Sequence, residues 1–454
     1  MPMSSVNPAT GSVLEVFETW DQERIDKALD AADRAVPAWR ALPLEERVAL
    51  LGRAADLLGE RREDLAGVIT REMGKLSREA RTEIDRCVTV CGYYAEHAAD
   101  FLADEVMEAG QGRALMVHQP LGTLLGVMPW NFPFWQVFRF AAPTLLAGNT
   151  VLLKHASNVP GCALAIERVF RDAGFPDGVF QALMIPSGAV EGIIRDPRVH
   201  GVTLTGSEKA GRAVAAAAGA ALKPSVLELG GSDPFIVLED ADLDQAVEQA
   251  LVSRYQNAGQ SCIAAKRFIL VPQVADAFVE RLRAGVEALV PGDPAREETT
   301  LAPMAREDLR DELHAQVTQS IAAGAVAVTG CRPLSGQGAW YAPSILDRVG
   351  PEARAYGEEL FGPVATVLRA RDEADAVRIA NDTRFGLGGS VWTRDRARGE
   401  ALARKLACGS AFVNALVKSD PALPFGGVKD SGYGRELGRA GMLAFVNYKT
   451  LRLH

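Results

Sequence analysis

The sequence predicts an α/β protein built from two doubly wound domains. Three observations carry that reading. Short apolar runs alternate with helical periodicity between residues 124 and 229, and a second series of the same kind follows from residue 242. Strands that alternate with helices in this way form a mostly parallel sheet covered on both faces. The chain has 454 residues, too many for one small core, so two or more domains are expected.

Taken in order, residues 21–103 repeat Ala, Leu and Ile at three- and four-residue spacing among Glu, Arg and Asp, a helical pattern. Residues 112–122 read as a strand or hairpin arm ending in a turn. In the first alternating series, strands are expected at 124–128, 150–154, 180–184, 201–205 and 225–229, and helices at 134–147, 162–173, 188–195 and 210–221. A domain boundary falls near 229–242. In the second series, helices are expected at 243–255, 274–289, 308–323, 374–381 and 397–406, and strands at 268–271, 325–328, 364–368, 390–392 and 410–413. Residues 444–453 alternate as a strand with no helix after them to cover it, which suits pairing with another subunit.

Bulk properties exclude several functions. Net charge is −9, from 49 basic and 58 acidic residues with no basic block, which argues against nucleic acid as the main partner. No apolar run reaches the roughly 18–20 residues that span a bilayer. The opening residues carry neither a basic nor an apolar segment of a leader. The six cysteines are scattered. Only Cys87 and Cys91 are close, and no histidine cluster completes a metal site there. A reduced, cytoplasmic protein without a metal is expected.

Five segments carry chemistry. Cys262 ends Asn257-Ala258-Gly259-Gln260-Ser261-Cys262, a short Gly-containing loop between a helix and a strand. A thiol there can be exposed in a fixed pose, although a free cysteine taken alone is more often inert. Asn131 sits in Met128-Pro129-Trp130-Asn131-Phe132-Pro133, where two prolines fix the backbone around an amide able to donate to an oxyanion. Glu228 ends an apolar strand before Gly230 and Gly231, and a desolvated Glu can serve as a base near neutral pH. Thr205-Gly206-Ser207-Glu208-Lys209-Ala210-Gly211 opens a helix whose N-terminus suits a phosphate, and Lys154 ends a neighbouring strand at the edge where a ligand would be met. Glu358-Glu359-Leu360-Phe361-Gly362-Pro363 sets an acid and an aromatic ring two residues apart, fit for a ribose hydroxyl and a nicotinamide. A sixth segment, from Pro424 to Gly432, reads as a structural Gly-rich loop.

In this order and spacing the segments resemble the aldehyde dehydrogenase superfamily over nearly the whole chain, from Asn7-Pro8-Ala9-Thr10-Gly11 to the tail. Glu228 and Cys262 are 34 residues apart (262 − 228), as expected for that family's base and nucleophile. The resemblance implies Cys262 as nucleophile, Asn131 as oxyanion donor and Glu228 as base. It implies cofactor contacts at Trp130, Lys154, Ser157, Gly206, Ser207, Leu229, Glu359 and Phe361. It also implies a Rossmann-like NAD(P)-binding domain (1–103 and 121–230), a catalytic domain (231–440) and a strand-built oligomerisation element (104–120 and 441–454) of a homodimer or homotetramer.

Between His118 and Lys154 the only charged residue is Arg139, in an apolar helix. It needs an anion or an escape to water. The succinate-semialdehyde branch is similar in having an arginine at the matching place, so Arg139 is expected to clamp a substrate carboxylate, with Ser261, Lys418 and Ser419 beside it. Dehydrogenases of uncharged aldehydes and a catalytically silent member are the alternatives. Ser157 is neutral where family members restricted to NAD often carry Glu, so NADP is expected to be accepted and preferred, with NAD as the other cofactor.

Overall fold

The computed structural model describes residues 3–108 and 112–453. Residues 1–2, 109–111 and 454, which belong to the expected cofactor domain and oligomerisation element, lie outside the described residues. The helical stretch resolves into Gln22–Ala41, Leu44–Glu60, Arg62–Met73 and Ser77–Leu102. Chain punctuation explains the breaks. Pro43 stands before the second helix, and Gly74 takes φ 80° where the third one ends.

A six-stranded sheet has the order Gly432–Tyr433, Ser225–Glu228, Gly201–Thr205, Thr123–Met128, Thr150–His155, Phe180–Ala182. It is parallel except for its first pair. Residues of Thr150–His155 and Gly201–Thr205 are all buried, as parallel strands covered on both faces must be. A seven-stranded sheet has the order Val326–Thr329, Ser344–Asp347, Val364–Arg369, Ala265–Leu270, Asp233–Val237, Gly388–Trp392, Ser410–Val413. Only its first pair is antiparallel.

The strand Asp233–Val237 lies inside the second sheet, where the sequence suggested a boundary segment. Asp233-Pro234 looks like a turn, but the ladder register shifts between those two residues, so the proline's missing N–H falls at an irregularity. Residues 425–442 also depart from expectation. They leave the second half of the chain and return to the first. Gly432–Tyr433 joins the first sheet, and Phe425, Leu437 and Met442 are buried in the core around the helices Ser77–Leu102 and Trp135–Leu146.

The tail strand Val446–Leu453 finds its partner within the chain, antiparallel to Arg113–Pro120, which also pairs with Glu105–Met107. Among the described residues no strand pairs with its other edge.

Buried cations fix the loop that joins these layers. Arg254, 0% exposed, donates to the carbonyl of Gly259 at 2.5 Å and to that of Gly362 at 2.6 Å. Replacing it with Met leaves buried carbonyls without a donor. Arg254→Met should cost about 3 kcal/mol or more, read as a lower midpoint in chemical denaturation.

Candidate active site

The helix Leu243–Tyr255 ends seven residues before Cys262 (262 − 255), and the chain then enters an unusual conformation. Asn257, Ala258 and Gly259 all take positive φ, at 55°, 51° and 72°. For alanine this costs roughly 1–2 kcal/mol, so the surroundings must over-determine it. They do. The Glu79 carboxylate accepts the Asn257 N–H at 3.1 Å, and Asn257 Nδ2 donates to the Asn131 carbonyl at 2.9 Å. Lys266 Nζ donates to the carbonyls of Ser261 and Cys262, each at 2.7 Å. The same ammonium pairs with Glu359 at 3.0 Å.

Asn131 lies on the loop between the strand Thr123–Met128 and the helix Trp135–Leu146. Its Oδ1 accepts from Gln136 Nε2 at 3.1 Å, and its Nδ2 donates to the Gln260 carbonyl at 3.0 Å. These partners set the amide's orientation and leave one Nδ2 hydrogen for a ligand. Lys75 holds the loop from below. It donates to the Asn131 carbonyl at 2.9 Å, sits 3.9 Å from the Phe132 ring centroid, and pairs with buried Glu83. Glu83 in turn accepts the N–H groups of Phe134 and Trp135 at 2.8 and 3.1 Å. His155 braces the loop from the next strand. Its Nδ1 accepts the Ala156 N–H, so Nε2 carries the proton and donates to the Pro133 carbonyl at 2.8 Å. Burial lowers its pKa to about 4, so the ring is neutral at pH 7.

Glu228 ends its strand 2% exposed, and neither carboxylate oxygen has a hydrogen-bond partner among the described residues. Gly426 makes room for it, because a Cβ there would stand 2.6 Å from Glu228 Oε1. Burial pushes its pKa well above the ordinary carboxylate value and Glu436 adds to the rise, while Arg139 and Arg435 oppose it.

The structure corrects one premise about Arg139. It is no lone cation, and it neither snorkels to water nor waits for an external anion. It is 3% exposed, paired with buried Glu436, and its guanidinium lies 4.7 Å from the Phe425 ring centroid.

Two cavities meet at Cys262. The larger, of about 670 Å³, is lined by Trp130, Asn131, Gly206, Ser207, Leu229, Glu359 and Phe361. Ser207 caps the helix Glu208–Ala220, accepting the Ala210 N–H at 3.4 Å. That helix end therefore opens on this cavity with unused N–H groups. Lys154 and Ser157 are not among its lining residues. Lys154 ends the neighbouring strand; it is 7% exposed, burial lowers its pKa, and it has no partner among the described residues. Ser157 is exposed on the turn that follows. The smaller cavity, of about 50 Å³, brings together Arg139, Ser261, Lys418 and Ser419, with Cys262 on its wall as well.

This arrangement suits attack by a thiolate on a carbonyl that enters from the small side. Amide donors are available for the resulting oxyanion, and a second reactant has room on the large side. Sequence reasoning missed Lys266, Glu436 and the Lys75–Glu83 pair. Lys266, beside Arg267 in the fully buried strand Ala265–Leu270, was the one with a readable signal.

The family model described as the aldehyde dehydrogenase family matches residues 1–451. A Synechocystis protein named probable succinate-semialdehyde dehydrogenase [NADP(+)] is 49% identical over 451 residues, which cover 99% of each chain. The succinate-semialdehyde dehydrogenase [NADP(+)] of Mycolicibacterium paratuberculosis is 47% identical over 455 residues, 99% of this chain and 96% of that one. The solved structure of succinic semialdehyde dehydrogenase from Streptococcus pyogenes with NADP+ superposes with a TM-score of 0.98 at 38% identity and covers 99% of both chains.

Burial raises the Cys262 thiol to about 12, with Lys266 and Arg139 pulling it down. The thiolate is therefore scarce in the free protein at neutral pH. Alkylation of Cys262 by iodoacetamide should accelerate roughly tenfold per pH unit through pH 9. A plateau near pH 7 would show a thiol already ionised.

Proposed function

The chain belongs to the aldehyde dehydrogenase family, and on that premise we propose that it oxidises succinate semialdehyde to succinate with NADP. The observation that carries the reading is the placing of Cys262 where two cavities meet, with Asn131 beside it and buried, unpaired Glu228 nearby in the fold. The names of the relatives support the substrate and the cofactor.

The large cavity fits a dinucleotide. It offers a helix N-terminus for phosphate, and Lys154, a buried ammonium at the adjoining strand end, lacks a protein anion. Ser157 carries no charge that would repel a further phosphate. Trp130, Gly206, Leu229, Glu359 and Phe361 are the remaining contacts in this reading. When bound, the nicotinamide accepts the hydride.

Each protein group has a matching task. The Cys262 thiolate, its proton lost to solvent, bonds through Sγ to the aldehyde carbon, while Asn131 Nδ2 and the Cys262 backbone N–H hold the oxyanion. Loss of hydride from that carbon leaves a thioester. Glu228 takes a proton from water, whose oxygen bonds to the acyl carbon. The carbon–sulfur bond then breaks, releasing succinate and the thiolate. Ser261, Lys418, Ser419 and the N–H groups of Arg139 not held by Glu436 face the substrate chain.

The domain division drawn from the sequence, with residues 425–442 moved from the catalytic to the cofactor domain, belongs to the same reading, as do a cytoplasmic setting and a homo-oligomer built through the strand Val446–Leu453. A second reading, oxidation of uncharged aldehydes, is favoured by one observation: the internal pairing of Arg139 with Glu436.

Initial rates with a panel of aldehydes, each with NADP and with NAD, test the proposal. Succinate semialdehyde with NADP should give the highest kcat/KM. Equal or higher values for butanal would favour the second reading. Cys262→Ala should abolish cofactor reduction. Glu228→Gln should give one rapid turnover of NADPH per site and then stall at the thioester; loss of the rapid phase would place Glu228 before hydride transfer.

A further inference from the structure

The small cavity holds a charge that the sequence did not single out. Arg86, on the helix Ser77–Leu102, lines it together with Cys262, Arg139 and Lys418. No Asp or Glu lines this cavity among the described residues, and much of its wall is apolar, including Phe132, Trp135 and Phe425. Arg139 is answered from inside the protein by Glu436. Arg86 is not answered. Every acid near it on its own helix is engaged elsewhere: Glu79 with the Asn257 N–H, Glu83 with Lys75, and Asp85 with Arg62 at 2.7 and 2.8 Å. Arg86 is half-buried and has no hydrogen bond or ion pair among the described residues.

A guanidinium at an apolar wall without a counter-ion is costly unless a ligand supplies one. Its planar fork matches a carboxylate, and the fork is stronger and more specific than a point charge. We propose that Arg86 selects a carboxylate-bearing aldehyde, with Lys418 adding to the positive field of the same cavity. This rests on the succinate-semialdehyde reading of the same site and assigns its specificity to a different element.

The test compares wild type with Arg86→Leu and Arg86→Lys at saturating NADP, using succinate semialdehyde and butanal, which has the same carbon count but no carboxylate. Arg86→Leu should raise KM for succinate semialdehyde about 10- to 100-fold and leave kcat/KM for butanal within about twofold. Arg86→Lys should fall between. Succinate should inhibit the wild type competitively against the aldehyde and inhibit Arg86→Leu far more weakly. An unchanged ratio between the two aldehydes in Arg86→Leu overturns the assignment, while the functional reading stands if wild type prefers succinate semialdehyde. A similar loss on both aldehydes marks a structural role and also overturns it. A wild type that does not prefer succinate semialdehyde removes the reading and the inference together.

Discussion

The site depends on cations spent on backbone carbonyls. Arg254 and Lys266 are almost fully buried, and both direct hydrogen bonds at carbonyl oxygens around the left-handed turn that precedes Cys262. That turn is unfavourable in isolation, because Ala258 has no freedom of its own to adopt it. Charge-assisted hydrogen bonds are stronger than neutral ones, and here they hold a strained segment in one state. Lys266 also pairs with Glu359, which lines the larger cavity. One ammonium therefore fixes the thiol's carbonyl and a residue of the proposed cofactor pocket in the same frame.

The electrostatics of the thiol and of Glu228 run in parallel. Burial disfavours charge on both, so each is pushed toward its neutral form. The nearby arginine pulls both back toward ionisation, yet Glu436 limits how far it can do so for Glu228. Such a site disfavours charge on the proposed nucleophile and on the proposed base alike.

Much of this was legible in the sequence, because motifs on short loops are punctuated by Gly and Pro. Asn131, Glu228, Cys262, Ser207 and Glu359 all stand beside such punctuation. The strands near them followed from apolar runs of four to six residues. What escaped was long-range pairing. Glu83 looks like one more helix-surface acid, yet it is buried against Lys75 and the start of another helix. Arg139 was correctly singled out as needing an anion, but its partner is Glu436, which follows it by nearly 300 residues. No local pattern encodes that meeting. The strand Asp233–Val237 was hidden by a proline that the ladder tolerates only because of an irregularity in register.

The return of residues 425–442 to the first half of the chain sets an order on synthesis. The sheet that carries Glu228 is closed at its edge by Gly432–Tyr433. Glu436, the ion-pair partner of Arg139, also arrives with this segment. While the ribosome is still making the second half, the first half has an open sheet edge and a buried arginine without its partner. Vectorial folding from the N-terminus is thus incomplete until the last stretch of chain emerges, and Glu228 acquires its sealed surroundings only in the finished polypeptide.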